Sequence, residues 1–214
     1  MARPRKPLLS RERIVATALA LVDAEGLAAV STRRLAAELG VSGPSLYNHF
    51  TTKDEILGAV ADSVIADVDL SMFEDGTDWP EALTAWARSY RSALTAHPHL
   101  VPFLAHGPGR RPAGLRLADA VFGAMVKAGW PPAQATRIGA LMRYFVTGSA
   151  LASFAGGFVD DPGAYDPADY PHLGQAHLLA THRREIDEGA FETGLRALVA
   201  GLVLQYRELG VAGP

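Results

Sequence analysis

Apolar positions recur at helical spacing through most of this chain, and no β-type alternation of useful length interrupts them. In residues 32–39, Leu35, Ala36 and Leu39 form one stripe to bury, leaving Arg33, Arg34 and Glu38 for solvent. From Lys53 to about Met72, Ile56, Val60, Val64 and Val68 share a face until the segment EDGTDWP breaks the pattern. Asp78 and Glu81 make a capping-box-like start for a helix to about Ala96, and His97-Pro98 ends it. Further helices are expected over 99–105, 113–128, 132–155 and 187–209, with glycine- and proline-rich breaks at 106–112, 129–132 and 156–171. No internal repeat is present, and the pattern predicts an all-α protein.

The stretch 39–53 has its own logic. Gly40 suits a left-handed residue past a helix end, Val41 can plug the core beneath the turn, and Ser42 is a good N-cap for a second helix. Pro44 falls in a first helical turn, where its missing N–H has no intrahelical partner to lose. The helix that begins near Gly43 is barely two turns long. Leu46 and Phe50 face inward, while Ser45, Tyr47, Asn48 and His49 project elsewhere. Thr52 with Glu55 forms a capping box for the next helix and sets Lys53 in its first turn, where charge and helix N-terminus together suit a phosphate. Two short helices around a tight turn, the second too polar to be core, read as a DNA-binding helix-turn-helix.

Composition divides the chain. With 214 residues, 49% of them hydrophobic, it can bury a substantial core and split into a small N-terminal unit and a larger domain. The absence of cysteine excludes disulfides and cysteine-ligated metal. The net charge of −3 is unevenly spread. Residues 1–50 carry seven basic and four acidic side chains, the remainder thirteen and nineteen, so the basic end can face phosphate. The start MARPRKPLLS lacks the apolar core of a signal peptide and is expected to be a flexible basic arm over residues 1–9. The stretch 140–159 contains Arg143 and is rich in Gly, Ala, Ser and Thr, which suits a buried helix better than a membrane span. A cytoplasmic protein is expected.

At this point the residues resemble a family. From Ser10 to about Ala61 the chain is similar to the N-terminal domain of the TetR (tetracycline repressor) family, through RERIVATALALVDAEGLAAVSTRRLAAELGVSGPSLYNHFTTKDEIL. The ordered features are a first amphipathic helix ending at Gly26, a TRRLA second helix, the G-V-S turn, the SLYNHF recognition helix and the aromatic-x-x-K-D/E-x-L exit. The resemblance implies a three-helix DNA-binding domain over 10–56, its linker helix continuing to about 72, and a helical ligand-binding and dimerisation domain over 73–214. DNA-contacting candidates are Thr32, Arg33, Ser42, Gly43, Pro44, Ser45, Tyr47, Asn48, His49 and Lys53. Arg33 suits a guanine edge or a phosphate, Gly43 and Pro44 allow close approach to thymine methyls, and Lys53 meets phosphate.

Two C-terminal helices look built for pairing. Gly139, Ala140, Gly148, Ala152 and Ala155 permit close backbone approach, and the last helix carries Phe191, Leu195, Leu198 and Leu202 as a stripe; intramolecular core is the equal alternative on periodicity alone. The resemblance implies a homodimer through helices near 138–155 and 187–209. Dimerisation also lets two small heads read a palindrome with half-sites about 34–36 Å apart, or a multiple of that. Trp86 and Tyr90 on one helix, Phe122 and Met125 on another, Tyr144 and Phe145 on a third, and Phe103 and His106 between them suit the aromatic walls of a small-molecule pocket. Over 78–155, Trp79 with RSYRSAL, HGPGRRP and RYFVTGSAL resemble the tetracycline-repressor branch, which sets Arg110 or Arg111, and Pro112, beside the ligand as well. Where that branch offers a carboxylate near a drug-bound metal, this chain has Ala152, which favours a more apolar or aromatic effector and no metal or cofactor.

An enzyme is the competing class. His172, His177 and His182 are spaced by five, about 140° apart on a helix, and share no ligand face. There is no HExxH, no GxSxG elbow, no phosphate-binding glycine loop and no plausible Ca²⁺ loop in 160–169. The expected function is that of a ligand-responsive DNA-binding regulator, a repressor released from a palindromic operator by a small effector. The alternative is a helical ligand-binding or adaptor protein that does not touch DNA.

Overall fold

Ser10 opens the first helix with its side chain, the hydroxyl accepting the Arg13 amide at 3.2 Å. Helix α1, Arg11–Glu25, buries Ile14, Ala18, Leu21 and Val22, and Gly26 at φ +84° ends it. Ser31 caps α2, Thr32–Leu39, in the same way, with the Arg34 amide 3.2 Å from its hydroxyl. Gly40, at φ 67° and ψ 34°, supplies the left-handed residue, where a Cβ would be strained. Helix α3 is Gly43–Tyr47 and α4 is Lys53–Ala66, which buries Ile56, Leu57, Val60, Ala61, Val64 and Ile65. The computed structural model describes residues 9–74, 76–106 and 109–210. The expected arm, Leu9 excepted, lies outside the described residues, as do Gly107 and Pro108 of HGPGRRP.

The remaining helices are α5, Trp79–Ala96; α6, Val101–Leu104; α7, Pro112–Lys127; α8, Pro132–Leu151; α9, His177–Thr181; and α10, Arg183–Glu208. There is no strand among the described residues. The chain forms two compact units, one of residues 1–68 and 93–118, the other of 69–92 and 119–214. In the first, α1 packs on α2 and α4, and α2 on α3. The later segment joins it by side-chain bonds: His97 Nδ1 lies 2.9 Å from the Asp23 carboxylate and His99 Nδ1 3.0 Å from the Val22 carbonyl. The Asp62 carboxylate of α4 accepts the Ala113 and Gly114 amides at 2.7 and 3.3 Å, capping the start of α7.

In the second unit Trp79, Trp130 and Tyr206 form a ring cluster with centroids 5.2–5.5 Å apart, and the Tyr206 hydroxyl donates to the Ala128 carbonyl. Three boundaries differ from expectation. Helix α4 stops at Ala66 rather than near Met72, because Asp69 takes its backbone elsewhere: its N–H donates to the Ser89 hydroxyl at 2.9 Å and its carboxylate accepts the Ser71 amide at 2.9 Å. Helix α8 stops at Leu151, four residues early. Ala152 is extended there, and Ser153 accepts the Gly156 amide at 2.8 Å. Helix α10 begins at Arg183, four residues early, with Glu185 in its first turn where the helix dipole favours an acid.

Candidate DNA-reading surface and effector residues

The recognition helix is shorter than its periodicity suggested. After Tyr47 the chain tightens, with the His49 and Phe50 amides both donating to the Leu46 carbonyl at 2.9 and 3.0 Å. Phe50 thus reaches the core from a turn and is 3% exposed. Leu46 is buried beside it, while Tyr47 (56% exposed), Asn48 and the half-buried His49 are left at the surface. Pro44 is exposed and Gly43 half-buried, with open space where a Cβ would stand. Ser42 takes the N-cap backbone position but not its side-chain bond; its hydroxyl pairs instead with that of Ser45 at 2.8 Å.

The basic residues around this helix divide by what already holds them. Arg34 is committed to Glu25 and Glu38, each at 3.0 Å. Arg33 is exposed with no ion-pair partner among the described residues, and Thr32 beside it is half-buried. Lys53 stands in the first turn of α4 as expected, but is half-buried and donates to the Leu27 carbonyl at 3.3 Å. The expected capping box is displaced by one residue. Thr52 accepts the Glu55 amide at 3.1 Å, while the Glu55 carboxylate accepts from the Thr51 amide (2.7 Å) and hydroxyl. Those donors, the Thr51 amide first, hold the Glu55 carboxyl below the usual glutamate range. Periodicity also failed to single out Arg11. Its guanidinium donates to the His49 carbonyl and lies 4.0 Å above the centre of the Phe50 ring. A basic residue in a first helical turn, where the dipole disfavours it, was the available signal.

The effector candidates fall into two groups by unit. In the second unit Trp86 and Tyr90 are buried on α5, their rings stacked at 5.6 Å and 24°. Trp86 is 1% exposed and its indole N–H has no hydrogen-bond partner among the described residues; Trp130, inside the ring cluster, shares that state. Met125 is buried, and the Phe122 ring lies against Gly139, where a Cβ would stand 2.1 Å from its edge. In the first unit Phe103 is half-buried beneath the Arg111 guanidinium, 5.7 Å from its centre; Arg110 is exposed, and so is His106, which bonds the Pro102 carbonyl at 3.0 Å. The last two aromatic candidates lie on α8. Phe145 stacks on Phe191 at 5.4 Å and 12° with its ring against Gly194, so it joins α8 to α10. Tyr144 is 71% exposed on the outward face of α8. Among the described residues no group of three or more His, Asp or Glu could hold a metal.

Burial separates the two alternatives for the pairing stripes. Phe191, Leu195 and Leu202, with Val199 and Tyr206, are buried within this single chain, and Leu198 is half-buried. Gly139 and Ala155 are likewise interior. The small and apolar residues turned outward are Leu141, Tyr144, Gly148 and Leu151 on α8, and Gly189, Thr193, Ala197, Ala200 and Leu204 on α10, with Leu204 59% exposed; Arg137 on α8 and Glu188, Arg196 and Gln205 on α10 are exposed as well. By length and a mean hydropathy of 1.2, Pro132–Gly157 would pass for a membrane span, but its helix breaks at Ala152.

A helix-turn-helix head on a larger all-helical body defines a class of DNA-binding regulators, and the comparisons name the family. The family model described as "Bacterial regulatory proteins, tetR family" matches residues 14–60, and "Tetracyclin repressor-like, C-terminal domain" matches residues 74–206. An HTH-type transcriptional regulator of Saccharopolyspora erythraea is 30% identical over 92% of this chain and 86% of its own length. The class C tetracycline repressor protein of Escherichia coli is 32% identical, with 91% and 90% covered. The Streptomyces coelicolor TetR family protein ActR, solved in complex with (S)-DNPA, is 32% identical with a TM-score of 0.74 over 92% of this chain and 98% of its own. The chain belongs to the TetR family. It is a ligand-responsive, DNA-binding transcriptional regulator, in a family of repressors that bind operators as homodimers and are non-enzymatic as a class.

Proposed function

We propose that this protein represses transcription from the cytoplasm as a homodimer on a palindromic operator and leaves it when a small aromatic effector binds. The observation that carries the reading is the polar surface at α3 and its C-cap, where Tyr47 and Asn48 are exposed, together with Arg33 of α2, exposed and without an ion-pair partner among the described residues. Asn48 and Tyr47 read base edges, Arg33 a guanine or phosphate, Thr32, Ser42, Ser45 and His49 the backbone, and Lys53 a phosphate once it leaves the Leu27 carbonyl. Gly43 and Pro44 let α3 approach the groove. The outward faces of α8 and α10, small and apolar, suit a four-helix bundle across a two-fold axis.

The effector enters among Trp86, Tyr90, Phe122 and Met125, with Phe103, His106 and Arg110 as further candidates. Trp86 supports an effector of defined chemistry. A buried indole N–H with no partner among the described residues suits a ligand that offers a carbonyl, hydroxyl or ether oxygen, and the stacked Trp86 and Tyr90 rings suit an aromatic one. Ala152, exposed past the end of α8, supplies no carboxylate for a metal-bound drug. Ligand binding biases two arrangements of α4 that set the spacing of the heads. The test is selection of bound sequences from a random duplex pool. Enrichment of a two-fold palindrome, with binding that weakens steeply as salt rises, is expected. Recovery of no sequence and no salt-dependent binding would leave the adaptor reading in its place.

A further inference from the structure

Charge count alone puts Arg11 among the side chains available to phosphate, but its contacts are internal. It occupies the first position of α1, where the helix dipole opposes a cation. From there the guanidinium donates to the His49 carbonyl and covers the Phe50 ring at 4.0 Å. We infer that Arg11 is a positioning residue for DNA reading, one that holds the C-terminal end of α3 in place through His49 and Phe50. The inference rests on the regulator reading above.

The physical reason lies in the length of α3. A helix of five residues has almost no hydrogen-bonded interior and leaves its last carbonyls open. The direction of Asn48 and His49 is therefore set by the turn at the end of the helix. One end of that turn is anchored by the buried Phe50, whose amide bonds the Leu46 carbonyl. The other requirement is a donor for the His49 carbonyl. A planar guanidinium can satisfy that carbonyl while its face stacks on Phe50, a pairing an ammonium does not reproduce.

The test compares wild type with Arg11→Gln and Arg11→Lys on two duplexes: the palindrome that the wild-type protein selects, and a random sequence, each at several salt concentrations. For both variants the palindrome weakens by about tenfold or more, the random duplex by less than about twofold, and the salt slope stays that of wild type. Renewed selection with Arg11→Lys, which keeps the charge, recovers a palindrome with relaxed bases at the positions read by α3. A heat-unfolding curve establishes that each variant is folded; if Arg11→Gln is not, Arg11→Lys carries the test alone. A slope reduced by about one unit, with equal losses on both duplexes and full recovery in Arg11→Lys, makes Arg11 a phosphate contact and overturns the inference. Variants indistinguishable from wild type overturn it as well. A wild-type protein that selects no sequence defeats the regulator reading first, and this inference with it.

Discussion

The outward surface of α3 and those of α8 and α10 are both left without a partner by this chain, yet they differ in every chemical respect. The α3 surface offers Tyr47 on a helix of five residues and Asn48 and His49 in the turn that ends it, with Arg33 on α2: donors, acceptors and charge. Beside exposed charges such as Arg137 and Arg196, the α8 and α10 surfaces offer Leu141, Tyr144, Leu151 and Leu204 among glycines and alanines, on helices of 20 and 26 residues. Polar groups on a short element gain most from a partner that is itself polar and directional, such as base edges and phosphates. Small apolar residues on long helices gain from close backbone approach and area removed from water. The difference shows that an exposed surface names its partner by its chemistry, and that two such surfaces on one chain point to two partners.

The strongest way to break this comparison is to put a charge on the apolar side. Leu204→Glu should convert the dimer to monomer at micromolar concentration in sedimentation and weaken operator binding by about 100-fold or more, since an unpaired carboxylate would be buried at the junction. A variant that stays dimeric and binds normally would remove α10 from the interface. On the polar side, Asn48→Ala should cost about 1–3 kcal/mol on the selected operator and relax base choice there, with little change on random duplex. Competition binding with single-base operator variants measures both. Lys53→Ala should weaken operator and random duplex alike, by several-fold, and lower the salt slope by about one unit. A sequence-selective loss would instead mark Lys53 as a structural donor to Leu27.

The smallest effect concerns a solvated flank of α10. Arg88 donates to Glu192 through two bonds of 2.8 and 2.6 Å, which holds the Glu192 carboxyl below the ordinary glutamate range. A carboxyl depressed in the folded state contributes stability above its unfolded pKa of about 4.3 and loses it as pH falls through the folded value. Because both side chains are largely in water, with 55% and 37% exposure, Glu192→Gln should cost at most ~1 kcal/mol at pH 7. Urea unfolding should show that deficit closing below about pH 4, with the dimer intact throughout. Dissociation in this variant would extend the α8–α10 interface around the helix to its polar flank.

Local rules made much of the head legible. Gly40, Pro44, the Leu35–Ala36–Leu39 stripe and the Thr52 cap each arise from one residue's φ preference, missing donor, spacing or side-chain oxygen, and the structure places each where those rules require. The reading residues Asn48 and Tyr47 were visible because polar side chains on a short helix have few other uses. Less was visible where a residue's role depended on a distant neighbour. Arg11 looked like any basic residue until His49 and Phe50 stood beside it. Periodicity suited the Phe191–Leu195–Leu202 stripe equally to a dimer face and to the interior of one subunit, and burial places it in the interior; Tyr144, a pocket candidate, is 71% exposed.

The sequence by itself determined that this chain is all-α, where most of its helices begin, and that its N-terminal head is a helix-turn-helix. Those properties rest on spacing, capping and turn chemistry, which act over a few residues. Only the tertiary structure decided which side of α8 and α10 is core and that Arg34 is spent on Glu25 and Glu38, while among the described residues Arg33 is free of ion pairs and the buried Trp86 N–H has no acceptor. A helix can carry apolar or small residues on two faces, and periodicity weights both alike. Which one is buried is settled by the side chains that pack against it, here the Phe145 ring on Phe191 and Gly194.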